Sequence, residues 1–331
     1  MGIIKDCLYQ ISGQYWLSFF KKQTIFPYYH IVKDRKVAHI ENLYSYKNQA
    51  QFISDLEFLL KHYKPINPEI LQTNNSIKNS FLLSFDDGLS EIYTDIFPIL
   101  KAHDIKAIFF INPSFVDNTE ALYKHSISII ISYLKKNNFK REDVEVIRTI
   151  LSLPSLSNDA LEMKLKSTPF SNREKINEIL TKLNVDIDHY LFTEKPYISK
   201  NQIQEMIDAG FYFGGHTMSH PPLNQLSHED QKNQIIDSIE WLKSNFGIQY
   251  SYFAFPFSDK GISRKLMYEL FEYDQQLLIF GNSGLKKDID ARIIQRFSLE
   301  NPNRKTSKVI ISENLYKIYN MLIRKYNIHR K

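Results

Sequence analysis

The run Phe81-Leu82-Leu83-Ser84-Phe85 ends abruptly in two adjacent carboxylates and a glycine, Asp86-Asp87-Gly88. It reads as a short buried strand, with Gly88 permitting a sharp turn after it. Acids at a strand end point to chemistry, because strand ends are where α/β barrels build active sites. Far downstream, Gly214-Gly215-His216-Thr217-Met218-Ser219-His220 supplies two histidines four residues apart. That spacing lets both rings converge from one helical turn or a tight loop. One of the two carboxylates with His216 and His220 would make a facial metal triad. Imidazole nitrogen and carboxylate oxygen suit a borderline cation such as zinc, with positions left open for water and substrate. The other carboxylate is then free to act as a base. Two histidines at this spacing also arise by chance on exposed helices; the glycine pair and the matching Asp-Asp favour a site. The protease motif H-E-x-x-H is excluded, because Thr217 stands where its glutamate would be.

Taken together, the two motifs resemble those of the polysaccharide deacetylases, also called the NodB homology domain or carbohydrate esterase family 4. Ser84 to Gly88 match the family's [ST]-F-D-D-G, and His216 to His220 match its H-[ST]-x-x-H. A third motif, R-x-x-P-Y, survives in part as Phe253-Ala254-Phe255-Pro256-Phe257. The resemblance spans roughly residues 25–300. It implies a distorted (β/α) barrel and a metal-dependent de-N-acetylase acting on an N-acetylated sugar. It implies that Asp86 takes a proton from the attacking water while Asp87, His216 and His220 bind the metal, most often Zn2+. It assigns the oxyanion hole to the Phe257 amide, with the Phe257 and Phe255 side chains and Pro256 lining the acetyl pocket. From the residues alone, Asp86 could instead cap a helix or support a histidine, and Phe255 and Phe257 could be plain core.

Three departures from the pattern matter. The family's third-motif arginine, which orients the base, is Phe253 here. Arg296, near the end of a late strand, is the candidate replacement; an ordinary surface salt bridge is the other reading. The family's C-terminal L-x-H histidine is missing, since no histidine lies between His228 and His329. His30, at the end of the first strand, is a candidate acid or substrate contact, against a buried structural role. His329 falls in a tail expected to fray. Asp259 could reach the site, although a loop-turn role fits its position better.

These residues need a scaffold. Ile25–Ile31, Lys106–Ile111, Phe211–Gly215, Tyr252–Phe257, Gln276–Phe280 and Ile293–Phe297 read as strands beside the Asp-Asp strand. Helical spacing covers 48–63, 90–102, 199–209, 229–246 and 307–326. The alternation predicts a parallel α/β barrel over 23–305. From about Pro113 to Lys195 no strand is evident. Apolar spacing in 127–134, 144–151 and 176–183 predicts a helical subdomain inserted over 113–195, either a wall of the site or structural decoration. A C-terminal helix and tail occupy 306–331.

The composition suits one large folded unit: 43% hydrophobic and 14% aromatic residues over 331 positions. The net charge of +5 and the lack of a dense basic stripe argue against nucleic-acid binding. Cys7 is the lone cysteine, so no intramolecular disulfide can form. No span approaches ~18 consecutive apolar residues, so no transmembrane helix is expected. Within Met1–Lys22, the residues Lys5, Asp6, Gln10 and Gln14 interrupt any signal-peptide core, which suggests a cytoplasmic enzyme. Leu8, Ile11, Tyr15, Trp16, Phe19 and Phe20 recur at helical spacing, followed by Lys21 and Lys22. That segment, 1–22, is either a helix packed on the barrel or an interfacial helix giving peripheral membrane contact. Two other functions stay open: a degenerate barrel that binds glycans or a partner without turnover, and an amidohydrolase acting on another non-peptide C–N bond.

Overall fold

Eight parallel strands form the centre of the computed structural model, which describes residues 2–13, 15–20, 23–72 and 78–331. They are Pro27–Tyr29 (β1), Leu83–Phe85 (β2), Ala107–Ile111 (β3), Tyr212–Gly215 (β4), Tyr252–Ala254 (β5), Leu278–Gly281 (β6), Ile293–Gln295 (β7) and Phe297–Ser298 (β8). Their spatial order is β7-β6-β5-β4-β3-β2-β1-β8. The two edges, β7 and β8, are consecutive in the chain with only Arg296 between them. The Arg296 N–H donates to the Gly281 carbonyl and the Phe297 N–H to that of Phe26. One extended segment therefore brings the sheet nearly to closure as a barrel of the NodB type.

Side-chain alternation divides the barrel into two cores. Ala107, Phe109 and Ile111 face outward onto helices that contribute Phe52, Leu56, Leu100, Ile203, Met206 and Ile310. Ile108 and Phe110 face inward with Leu82, Tyr252, Leu278 and Phe280. Strands buried on both faces must be apolar throughout, which is why AIFFI shows no polar alternation. Each such side chain contributes about 1.5–3 kcal/mol of burial free energy. A small second sheet of Thr24–Ile25, Ser80–Phe81 and Lys64–Pro65 extends β1 and β2 at their N-terminal ends, the end opposite the acids.

Between β3 and β4, ahead of the barrel helix Lys200–Asp208, the chain leaves the sheet for five helices: Tyr123–Lys136, Arg141–Leu151, Asn158–Lys166, Arg173–Lys182 and Ile187–Glu194. They bury a core of their own, including Ile127, Ile131, Ile147, Leu165 and Ile179, joined by Ile31, Ile40 and Leu89 from the barrel side. The Asn158–Lys166 and Ile187–Glu194 helices carry two and one buried residues, too few for a periodic signal.

Both ends of the chain differ from expectation. The N-terminal segment is not one helix but two, Gly2–Ile11 and Trp16–Phe20, parted around Ser12 and Gly13. Leu17 and Phe20 are buried, whereas Ile3, Ile11, Tyr15 and Phe19 are each more than 65% exposed. Met1, Gln14, Lys21 and Lys22 lie outside the described residues. At the other end, the tail after the Thr306–Leu322 helix does not fray. The Ile328 N–H donates to the Lys287 carbonyl, and Arg330 is buried against Asp259 and Asp288 at 2.8 and 2.7 Å. Asp259 heads a turn, its carbonyl accepting the Ile262 N–H, and its carboxylate also joins a buried ion pair. No described helix is long and apolar enough to cross a membrane.

Candidate active site

Every predicted site residue sits on one rim, just past the C-terminal end of a strand: His30 after β1, Asp86 and Asp87 after β2, His216 after β4, Phe255 to Phe257 after β5, and Arg296 after β7. Parallel strands end on the same rim, so residues far apart in sequence meet there. His30, both aspartates, both histidines, Phe255 and Phe257 line a cavity of about 360 Å³ together with Tyr28, Tyr44 and residues of the Tyr123–Lys136 helix.

The metal triad converges. Asp87, His216 and His220 are buried, and their ligand atoms lie within 4.8 Å of one another. Asp87 Oδ1 stands 3.4 Å from His216 Nε2 and 3.1 Å from His220 Nε2. That oxygen is buried with no hydrogen-bond partner among the described residues. An orphaned carboxylate oxygen between two imidazole nitrogens is costly in itself, and a divalent cation would satisfy it. His216 Nδ1 lies 2.8 Å from the Ala254 carbonyl, so it carries the proton and leaves Nε2 with a free lone pair. Burial pushes the His220 imidazole below its ordinary pKa despite Asp87 beside it, which keeps it neutral. Burial works against the Asp87 charge, but the imidazoles of His220 and His30 beside it hold its carboxyl well below the usual range. The donor set fits a divalent cation.

Arg296 is fully buried, so the surface salt bridge is ruled out. Its guanidinium grips both oxygens of Asp86, at 2.7 and 2.8 Å, and donates to Ser84 Oγ at 2.8 Å. Ser84 and Asp86 are two apart on one strand, so both point into the barrel. The rings of Tyr28, Phe110 and Phe280 surround the guanidinium, with centroids 4.7, 5.1 and 6.0 Å away. Burial alone would raise the Asp86 pKa; Arg296 outweighs it and brings the carboxyl below its ordinary value.

His30 faces the same cavity and is clamped by Glu300. One Glu300 oxygen accepts the backbone N–H groups of His30 and Ile31, and the other lies 2.8 Å from His30 Nδ1. Burial disfavours the imidazolium, but Glu300, with Asp87 and Asp86 nearby, pushes the His30 pKa up to about 10. In the turn after β5, Phe255 is buried, whereas Phe257 is 47% exposed and packs edge-on against His220. The Phe257 N–H donates to no described residue. Pro256 is buried beneath the turn and is not part of the cavity wall.

Several features here gave no sequence signal. Asp87, Thr217, His220 and Phe257 all have positive φ, at 73°, 68°, 55° and 54°. Each is a strained conformation for a residue with a side chain, and such strain gathers at functional sites. Asn112, which reads only as a strand stop, donates its amide to the His216 and Thr217 carbonyls and holds the histidine loop. Glu300 and Tyr44 were also missed; nothing in their spacing marks them. The glycine pair before His216 has a steric reason: a Cβ at Gly214 would lie 2.7 Å from the Tyr252 carbonyl, and one at Gly215 would collide with Ser238.

Comparison with known proteins adds the family. A family model described as polysaccharide deacetylase matches residues 73–129 and 166–275, just over half of the chain. Comparison with curated proteins finds no match. Among solved structures, the Streptococcus pyogenes deacetylase PplD in complex with acetate aligns with a TM-score of 0.54 and 16% identity, over 88% of this chain and 98% of that one. IcaB from Ammonifex degensii aligns at 0.52 and 15%, over 88% and 97%. A de-N-acetylase from Aggregatibacter actinomycetemcomitans aligns at 0.51 and 15%, over 86% and 98%. At these identities the structures speak to the fold alone. The chain belongs to the polysaccharide deacetylase family, metalloenzymes that hydrolyse carbon–nitrogen bonds other than peptide bonds.

Proposed function

We propose that the chain is a metal-dependent de-N-acetylase that hydrolyses the acetamido group of an N-acetylated sugar in a polysaccharide or glycan precursor. The observation that carries this reading is the orphaned Asp87 oxygen between His216 and His220, next to an Asp86 carboxylate held by Arg296. A divalent cation held by Asp87, His216 and His220, in our reading Zn2+, would polarise the acetyl carbonyl and make water nucleophilic near neutral pH.

The chain's own residues supply the rest. Arg296 keeps Asp86 ionised and fixes its direction, so Asp86 can accept a proton from the attacking water. The Phe257 N–H is a preorganised donor for the oxygen that gains charge as the carbonyl carbon becomes tetrahedral. His30, protonated through Glu300, would give a proton to the sugar nitrogen as the C–N bond breaks, which fills the place of the missing C-terminal histidine. The products are acetate and an amine. Phe255 and Phe257 form the wall against which the acetyl methyl packs.

We further propose that the enzyme works in the cytoplasm at a membrane surface. The exposed Ile3 and Ile11 of the first helix, Phe19 of the second and Tyr15 between them support the membrane contact, since exposed apolar side chains suit the headgroup boundary. Co-sedimentation with anionic vesicles should fall when Ile11 and Phe19 are both changed to Ser; unchanged sedimentation would refute the contact.

The test of the main reading is acetate release from a panel of N-acetylated oligosaccharides and sugar precursors. It would use protein stripped by chelator and then reloaded with zinc. Release that disappears on stripping and returns with zinc is expected. Release of a different acyl group would move the enzyme to other C–N substrates. Bound metal without any turnover would mark a barrel that only binds.

A further inference from the structure

The helical segment between β3 and β4 contributes one buried, titratable group to the cavity that the mechanism above does not use. His125, on the Tyr123–Lys136 helix, is 2% exposed and lines the cavity beside the metal ligands. Its ring stacks on Tyr197, with centroids 5.7 Å apart and an interplanar angle of 16°. The Tyr197 hydroxyl lies 2.8 Å from His125 Nδ1 and accepts the Leu122 backbone N–H, also at 2.8 Å.

That geometry determines the imidazole tautomer. With the Leu122 N–H aimed at the phenol oxygen, the phenol has one proton to place in a buried setting. His125 Nδ1 is the acceptor within reach. If Nδ1 carried its own proton, the phenol hydrogen would be stranded in a buried setting without a partner, which is costly. Nδ1 therefore accepts and Nε2 carries the hydrogen. Nε2 hydrogen-bonds to no described residue, and the side chain lines the cavity, so its N–H is free for a ligand bound there. Burial also drives the His125 pKa down to about 3, so the ring stays neutral across the working range.

The same wall carries Lys124, whose ammonium is held by the Lys166 and Thr168 carbonyls at 2.6 and 3.0 Å. Among the described lining residues, the carboxylates are Asp86 and Asp87, at the metal triad. The helical wall thus presents donors, and what meets it must present oxygen acceptors.

We propose that His125 is a substrate-binding residue that donates its Nε2–H to an oxygen of the sugar carrying the scissile acetamide. The five-helix segment then forms part of the specificity pocket and is more than decoration of the barrel. The proposal rests on the de-N-acetylase reading for the identity of the ligand, whereas the tautomer stands on the geometry alone.

Two measurements test it. The first is 15N NMR of histidine-labelled wild-type protein loaded with zinc. Nε2 should be protonated and Nδ1 bare, unchanged from pH 5.5 to 8, and the Nε2 signal should shift when an N-acetylglucosamine tetramer is added. A protonated Nδ1, or a tetramer that binds without moving the signal, overturns the proposal. The second is steady-state acetate release from the same tetramer. His125→Phe keeps the stacked ring and should raise KM about 2- to 12-fold, the worth of one neutral hydrogen bond, with kcat and zinc content unchanged. His125→Gln, which restores an amide donor, should recover part of the loss. An unchanged KM in His125→Phe, or a rise that comes only with loss of zinc, overturns it. No acetate from wild type and no binding of the tetramer would instead overturn the de-N-acetylase reading, and with it the assigned ligand.

Discussion

At the scale of residues, the Arg296–Asp86 pair decides whether Asp86 can act as a base. The guanidinium opposes the effect of burial and keeps the carboxyl ionised. Arg296→Gln should therefore raise the Asp86 pKa, and the acid limb of the kcat/KM profile should move to higher pH. Turnover at neutral pH should drop by about 10²-fold or more, the usual worth of a positioned base. An acid limb that stays put would show that Asp86 is not the titrating group. Arg296→Lys should rescue poorly, because one ammonium cannot reproduce the two-pronged grip. This arginine was legible in the sequence only as a candidate, since position 296 lies far from the motif that ordinarily supplies the residue. Asp86, Asp87, His216 and His220 were legible because their types and spacing repeat a pattern. The positive φ values at Asp87, Thr217, His220 and Phe257 were not, since backbone strain leaves no mark on residue type.

At the scale of elements, the strand ends set the site and the loops after them tune it. Glu300, in the loop after β8, binds the first residues beyond β1 through two backbone N–H groups and the His30 ring. If His30 donates a proton to the leaving amine, activity requires the imidazolium and falls on the alkaline side as His30 loses its proton. Removing the Glu300 charge lowers the His30 pKa from about 10. The alkaline limb of kcat should accordingly move to lower pH in Glu300→Gln, while zinc content holds. A limb that does not move would return His30 to a structural role. The strands themselves were readable, because double-sided burial forces continuous apolar runs such as AIFFI. The Asn158–Lys166 and Ile187–Glu194 helices were not. They lean on neighbouring helices through one or two leucines each, so tertiary packing supplies what their own pattern lacks.

At the scale of the whole molecule, the barrel is closed by the segment 293–298 and braced by the tail. Arg330 pairs with Asp259, next to the Phe257 turn, and with Asp288, just before β7. Arg330→Ala would leave two buried carboxylates with no cation and should cost about 3–5 kcal/mol in urea unfolding. A loss below 1 kcal/mol would mean the tail is not a brace. Sequence alone suggested a frayed tail because a short polar stretch after a helix has no periodic signal; its anchor is a contact over 71 residues. The proposed division of labour gives the metal to Asp87 and the proton chemistry to Asp86. The most direct test is to measure zinc stoichiometry and acetate release side by side in wild type and Asp86→Asn. One zinc per chain is expected in both proteins, with acetate from wild type alone. Full acetate release from the Asp86→Asn protein would contradict it.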